Sequence, residues 1–114
     1  MKESILRTKS YEFALNLVST YKNLVAEKEY VLSKQLLRSG TSIGANIREA
    51  QNAESKADFI HKFKISAKEA DELLFWLELC QNSEFYPNPN EELLIKLKSI
   101  NLIISKIIAT SKKG

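Results

Sequence analysis

The stretch Gly40-Thr41-Ser42-Ile43-Gly44-Ala45-Asn46 holds two of the chain's three glycines. Taken alone it reads as a loop; taken with its flanks it reads as the middle of a helix, and the choice decides the fold. Leu32, Leu36, Ser39, Ile43, Ile47 and Ala50 recur at steps of 4, 3, 4, 4 and 3 straight through it. That is the spacing of one helix face, and a loop has no reason to keep the period. The stretch also fails as a phosphate cradle. Three residues separate the glycines where a P-loop needs four, and Ala45-Asn46 stand where a lysine is required. No strand precedes it, as a dinucleotide-binding turn demands. Two glycines inside a helix cost about 2 kcal/mol relative to alanines. Close approach of another helix at Gly40 and Gly44, four apart on one shoulder of the stripe, is the expected compensation. Asn46, on the other shoulder, is expected to be a buried amide satisfied across the bundle.

Working outward, the helix that contains this stretch runs from about residue 30 to 52. Before it, Ala14, Leu17, Val18, Tyr21, Leu24 and Val25 predict a helix over about 8–26, with Thr8 and Ser10 as N-cap candidates and Glu27-Lys28-Glu29 as the turn. After it, Ser55 and Asp58 make a capping-box start for a helix over about 55–83, with Ile60, Phe63, Ala67, Ala70, Leu74 and Leu77 on its stripe. Both prolines fall in the linker Asn82 to Pro89. Asn90 can cap a last helix over about 90–111, striped by Leu94, Leu97, Asn101, Ile104 and Ile108, with Glu91 and Glu92 suited to the positive end of its dipole. Four long helices with short connections predict an all-α, antiparallel up-down four-helix bundle, a single domain over 1–114.

The composition agrees. In 114 residues, 44% are hydrophobic and 27% charged, which places the chain among ordered globular proteins. The lone Cys80 can form neither an internal disulfide nor a thiolate cluster, which suits a reducing cytosol. No window offers the roughly 18 apolar residues of a membrane span, and MKESILRTKSYEF has no apolar signal core. A cytoplasmic protein without membrane contact is expected.

Two helices are greasier than one core requires. Leu73-Leu74-Phe75-Trp76-Leu77-Glu78-Leu79-Cys80 is apolar nearly all round, and the segment from Ser99 to Ala109 carries one charge, Lys106. Surplus apolar faces mark interaction sites, so self-association is expected, with Phe75, Trp76, Leu79, Leu102 and Ile103 as interface candidates. The opposing reading is that the linker from Phe85 to Pro89 folds back over them.

No Ser-His-Asp, Cys-His or paired-carboxylate set stands out. Glu69 and Glu72 sit at helical spacing that suits salt bridges as well as catalysis. A non-enzymatic protein without metal or cofactor is therefore expected. The net charge of +3 permits a nucleic-acid partner without demanding one. Lys34 and Arg38 lie one turn apart on an outer face, with Arg48 further along. His61 shares a face with Lys64 and Lys68. A solvated surface is the plain reading of these residues and a phosphate-contacting strip the sharper one. In a ring of subunits, symmetry would multiply so small a strip into a basis for RNA or DNA binding, with Tyr30 a candidate for base stacking.

The run Tyr30-Val31-Leu32-Ser33-Lys34-Gln35-Leu36-Leu37-Arg38-Ser39-Gly40-Thr41-Ser42-Ile43-Gly44-Ala45-Asn46-Ile47-Arg48-Glu49-Ala50 closely resembles the 23S rRNA-intervening-sequence proteins, a family of four-helix-bundle proteins. The likeness continues in Ser55-Lys56-Ala57-Asp58-Phe59-Ile60-His61-Lys62, in Lys68-Glu69-Ala70-Asp71-Glu72 and in Trp76-Leu77-Glu78-Leu79. It covers about residues 8–112, the last helix only through its apolar pattern. The resemblance implies an antiparallel bundle assembled as a homopentameric ring, encoded in rRNA intervening sequences or elsewhere in bacterial genomes, with no catalytic residues to carry over. A related branch, the accessory variability proteins of diversity-generating retroelements, comprises basic pentamers that bind nucleic acid and a reverse transcriptase. Partners implied are therefore further copies of the chain, RNA or DNA, and a protein.

Overall fold

The computed structural model describes residues 2–113, which form four α-helices and no strand. They are α1 (Lys2–Ala26), α2 (Tyr30–Ala50), α3 (Lys56–Asn82) and α4 (Glu91–Lys113). Met1 and Gly114, the ends of the span read as one domain, lie outside the described residues. The helices pack in a cycle, α1 on α2, α2 on α3, α3 on α4 and α4 back on α1, in a body 47 × 21 × 19 Å. Cross-helix pairs between α2 and α3 fall in number on one as they climb on the other: Arg38 with Glu69, Ile43 with Ser66, Glu49 with Lys62.

The glycine-containing stretch is helical throughout, and all six residues of its stripe are buried. Leu36, Ile43 and Ile47 are fully enclosed in one apolar cluster with Leu6, Phe13 and Leu17 of α1, Phe63, Leu73 and Leu77 of α3, and Leu97 and Ile104 of α4. The two glycines differ. A methyl group at Gly40 would overlap Cδ2 of the enclosed Leu17 and touch Leu73 Cδ2 at 3.5 Å. At Gly44 a methyl would meet Ser10 Oγ at 3.4 Å and the Ser10 carbonyl at 3.8 Å, which is ordinary contact. Only Gly40 is required by the approach of α1. Asn46 departs from expectation: its amide donates to Ser42 O of the same helix at 2.9 Å instead of crossing the bundle.

The α1 helix begins six residues before Thr8, because Leu6 is fully buried and carries the packed face back past the expected caps. Ser10 is no cap. It sits inside the helix, 1% exposed, and its hydroxyl donates to Arg7 O at 3.1 Å. The buried stripe of α1 is Leu6, Ser10, Phe13, Leu17 and Leu24, and Val18, placed on the stripe by spacing, is exposed.

The expected turn after α1 is correct and has a specific geometry. Lys28 takes a left-handed φ of 63°. Its N–H donates to Val25 O and that of Glu29 to Leu24 O, the paired bonds of a Schellman ending. Ser55 caps α3 by accepting from Asp58 N at 3.0 Å, and the Asp58 carboxylate accepts from Glu54 N. Asn90 Oδ1 accepts from Glu92 N at 2.9 Å at the start of α4. Both caps agree with the sequence reading. Cys80 is enclosed, and its thiol is pushed above its usual pKa, first by burial and then by the charge of Glu29.

Candidate nucleic-acid interface

The basic residues singled out by sequence do not form one patch. Arg38 points from α2 to α3, and each of its three guanidinium nitrogens donates a hydrogen bond. Nε donates to Gln35 at 3.2 Å, one terminal nitrogen to Glu69 at 2.8 Å, and the other to Glu72. Glu69 and Glu72 thus find their role as ion-pair partners, the structural option their spacing had left open. Lys34, one turn before Arg38, is exposed. Arg48 lies ten residues beyond, about 15 Å along the axis, and turns the other way. Its guanidinium stands 5.5 Å from the Tyr11 ring centroid on α1, within cation–π range.

Lys64 and Lys68 are exposed on α3, and so is His61. They fall at steps of three and four and so share one face. Neither lysine pairs with a carboxylate among the described residues. Glu69 and Glu72 turn to Arg38 of α2, whereas Asp71, three residues after Lys68 on the same exposed stripe, accepts from Asn101 Nδ2 of α4 at 3.2 Å. Lys62, on the inner shoulder, is tied to Glu49 of α2 at 3.1 Å.

The expected self-association set divides. Phe75, Leu79 and Leu102 are exposed, whereas Trp76 and Ile103 are half-buried against the core. The Trp76 N–H is buried without a hydrogen-bond partner. Sequence reasoning missed a second outer set, Tyr11, Leu15 and Val18 of α1, and Ile95 of α4. Their spacing was visible: Tyr11, Leu15 and Val18 follow steps of four and three. Val18, however, had been assigned inward. Phe85 in the linker is 82% exposed, so that side chain does not fold back as a cover.

A cleft of about 530 Å³ lies between α1 and the start of α4. Amides and hydroxyls line it, including Asn16, Thr20, Asn23 and Asn88, and its charged members Glu92 and Lys96 pair with each other at 3.5 Å. None of Lys34, Arg38, Arg48, Lys64, Lys68 or the expected self-association residues lines it. Among the described residues no three His, Cys, Asp or Glu side chains gather as metal ligands, and no helix is long and apolar enough to cross a membrane.

Four helices cycling round one apolar core, with the polar chemistry spread over helix surfaces, define an all-α four-helix protein. The family model described as 23S rRNA-intervening sequence protein matches residues 2–108, and the chain belongs to that family. It is also similar to a crystal structure from Bacteroides thetaiotaomicron VPI-5482, a protein of unknown function from the S23 ribosomal protein family. The two are 47% identical, with 96% of this chain and 99% of that one covered at a TM-score of 0.86. No curated protein matches the chain.

Proposed function

We propose that the protein is a non-enzymatic, cytoplasmic four-helix bundle that assembles as a ring of identical subunits and binds RNA or structured nucleic acid weakly through exposed lysines. The up-down course of the helices is supported by the descending α2–α3 pairs and the short connections. Assembly is supported by Ile95 and Leu102, exposed apolar side chains seven residues apart and so on one side of α4, and by Tyr11 and Leu15, exposed four apart on α1. Five subunits is the number that the family resemblance implies.

The observation that carries nucleic-acid binding is the pair Lys64 and Lys68, exposed one turn apart on α3 and paired with no carboxylate among the described residues. Of the remaining basic residues, Lys34 is exposed on α2 one turn before Arg38, Arg38 acts by neutralising Glu69 and Glu72, and Arg48 belongs to a separate face with Tyr11. Phosphate contacts release counterions, so binding should weaken steeply with salt. The test is an RNA-binding titration on the assembled protein from low to moderate salt. Tight binding at low salt that fades as salt rises is expected; no detectable binding at low salt would sink the reading. The rival reading is a protein-interaction scaffold, such as an accessory subunit of a reverse transcriptase. It is favoured by Phe85 and Val31, two strongly exposed apolar residues away from the lysine face. A protein partner that stays bound after nuclease treatment would support it.

A further inference from the structure

We propose that copies of the chain join head to tail, the outer side of α3 at Asp71, Phe75 and Glu78 seating on the outer side of α4 of the next copy at Ile95, Lys98 and Leu102. This rests on the assembly reading above and names the two surfaces that meet.

The two surfaces carry opposite charge around apolar centres. On α3, Phe75 is 59% and Leu79 40% exposed. The Phe75 ring is braced edge-on by Trp76, centroids 5.3 Å apart at 73°. Asp71 and Glu78 are exposed four residues before Phe75 and three after it, steps that return to one side of a helix. Neither carboxylate enters an ion pair among the described residues. Asp71 accepts from Asn101, a neutral amide that leaves its charge in place. On α4, Ile95 is 63% and Leu102 64% exposed, seven apart and so on one side. Lys98 stands between them, exposed and also outside every ion pair of the described residues. Like charges oppose α3 against α3 and α4 against α4, whereas α3 against α4 brings unlike charges together. Such a contact is heterologous and repeats from copy to copy.

The bond from Asn101 to Asp71 sets those two residues level. On the up-down course proposed above, α4 climbs in number as α3 falls, so Phe75 stands level with Leu97. Rotation about an axis along the bundle keeps each residue at its height. Lys98 of the next copy then arrives between Asp71 and Glu78, with its Ile95 and Leu102 on either side of Phe75. Because α3 and α4 are neighbours in the helix cycle, their outer sides face about a quarter turn apart. Each contact therefore turns the next copy by the same angle, the condition for a closed ring. Like charges meet at both ends of the contact, Lys64 and Lys68 with Lys106, and Glu78 with Glu91, and they confine the attraction to the span between. Glu92 is outside this balance, since it pairs with Lys96.

The test measures particle mass by light scattering on the full chain, with helix content by circular dichroism to show that each variant is folded. Wild type should be an assembly. Phe75→Glu and Leu102→Glu, each spoiling one surface, should both fall to the 13.0 kDa monomer. Lys98→Glu should lose mass, and Lys98→Glu/Glu78→Lys should recover it, because the swapped charges attract again. Full mass in any of the three single variants would overturn the proposal and leave assembly through other faces standing. A double variant no larger than Lys98→Glu would overturn it by removing the charge pairing that matches the two surfaces. A monomeric wild type would remove the assembly reading as well.

Discussion

The inner face of α2 and the outer face of α3 specify the molecule in opposite ways. At Gly40 specificity comes from a missing side chain: Leu17 occupies the space that a Cβ would fill. At Lys64 and Lys68 it comes from exposed side chains that pair with no carboxylate among the described residues. Changes on the first surface should therefore act on stability, and changes on the second on binding. Gly40 and Gly44 extend the contrast within one helix, because only the first is compressed.

The largest effect should come from Gly40→Leu, which drives four extra carbons into a closed seam. Overpacking of this kind costs about 3 kcal/mol or more; an unchanged denaturant midpoint would contradict the geometry at Leu17. Gly40→Ala should be milder, about 1 kcal/mol destabilising, because a better helix former partly offsets the displacement of Leu17. Gly44→Ala has the opposite sign. Its methyl meets Ser10 at contact distance, so thermal unfolding should show a gain of about 0.5–1 kcal/mol. Equal losses at the two glycines would erase the distinction between them.

Arg38→Gln lies between the two surfaces. Exposed ion pairs contribute little, so a stability loss of at most about 1 kcal/mol is expected by denaturant titration. RNA binding at low salt should weaken as well, since Glu69 and Glu72 are then left uncompensated beside the lysines. The smallest effect concerns Cys80. Its native pKa is raised, so above the ordinary thiol range the unfolded chain loses the proton first. The contribution of Cys80 to stability should be flat below the ordinary thiol range, near 9.0, and decline as pH rises from there towards the native pKa. Cys80→Ala should remove that part of the alkaline decline.

How much of this was legible in the sequence depended on where the polar groups sat. The α2 stripe was readable because five of its six core positions are apolar and its period never breaks. In α1 the stripe was lost because Ser10 holds a core position. A serine whose hydroxyl bonds within its own helix can be buried, but it looks like a surface residue or a cap. Ser66 hid part of the α3 face in the same way, its hydroxyl donating to Ile43 O at 2.9 Å in the core. The all-round apolar composition of α3 also shifted the buried set from Leu74 to Leu73 and Cys80. Of the candidate interface, the shared face of His61, Lys64 and Lys68 was readable from spacing. The engagement of Arg38 was not, because it depends on which helix stands beside α2 and at what height.

The most direct measurement of the central claim is the salt dependence of RNA binding for wild type and for the double variant Lys64→Gln/Lys68→Gln. If both lysines contact phosphates, the slope of log K against log salt should shrink in magnitude by about 1.4–1.8 per site, two contacts at about 0.7–0.9 each, with the denaturant midpoint unmoved. An unchanged slope would show that the lysines of α3 are solvated charges and that nucleic acid, if bound, is held elsewhere.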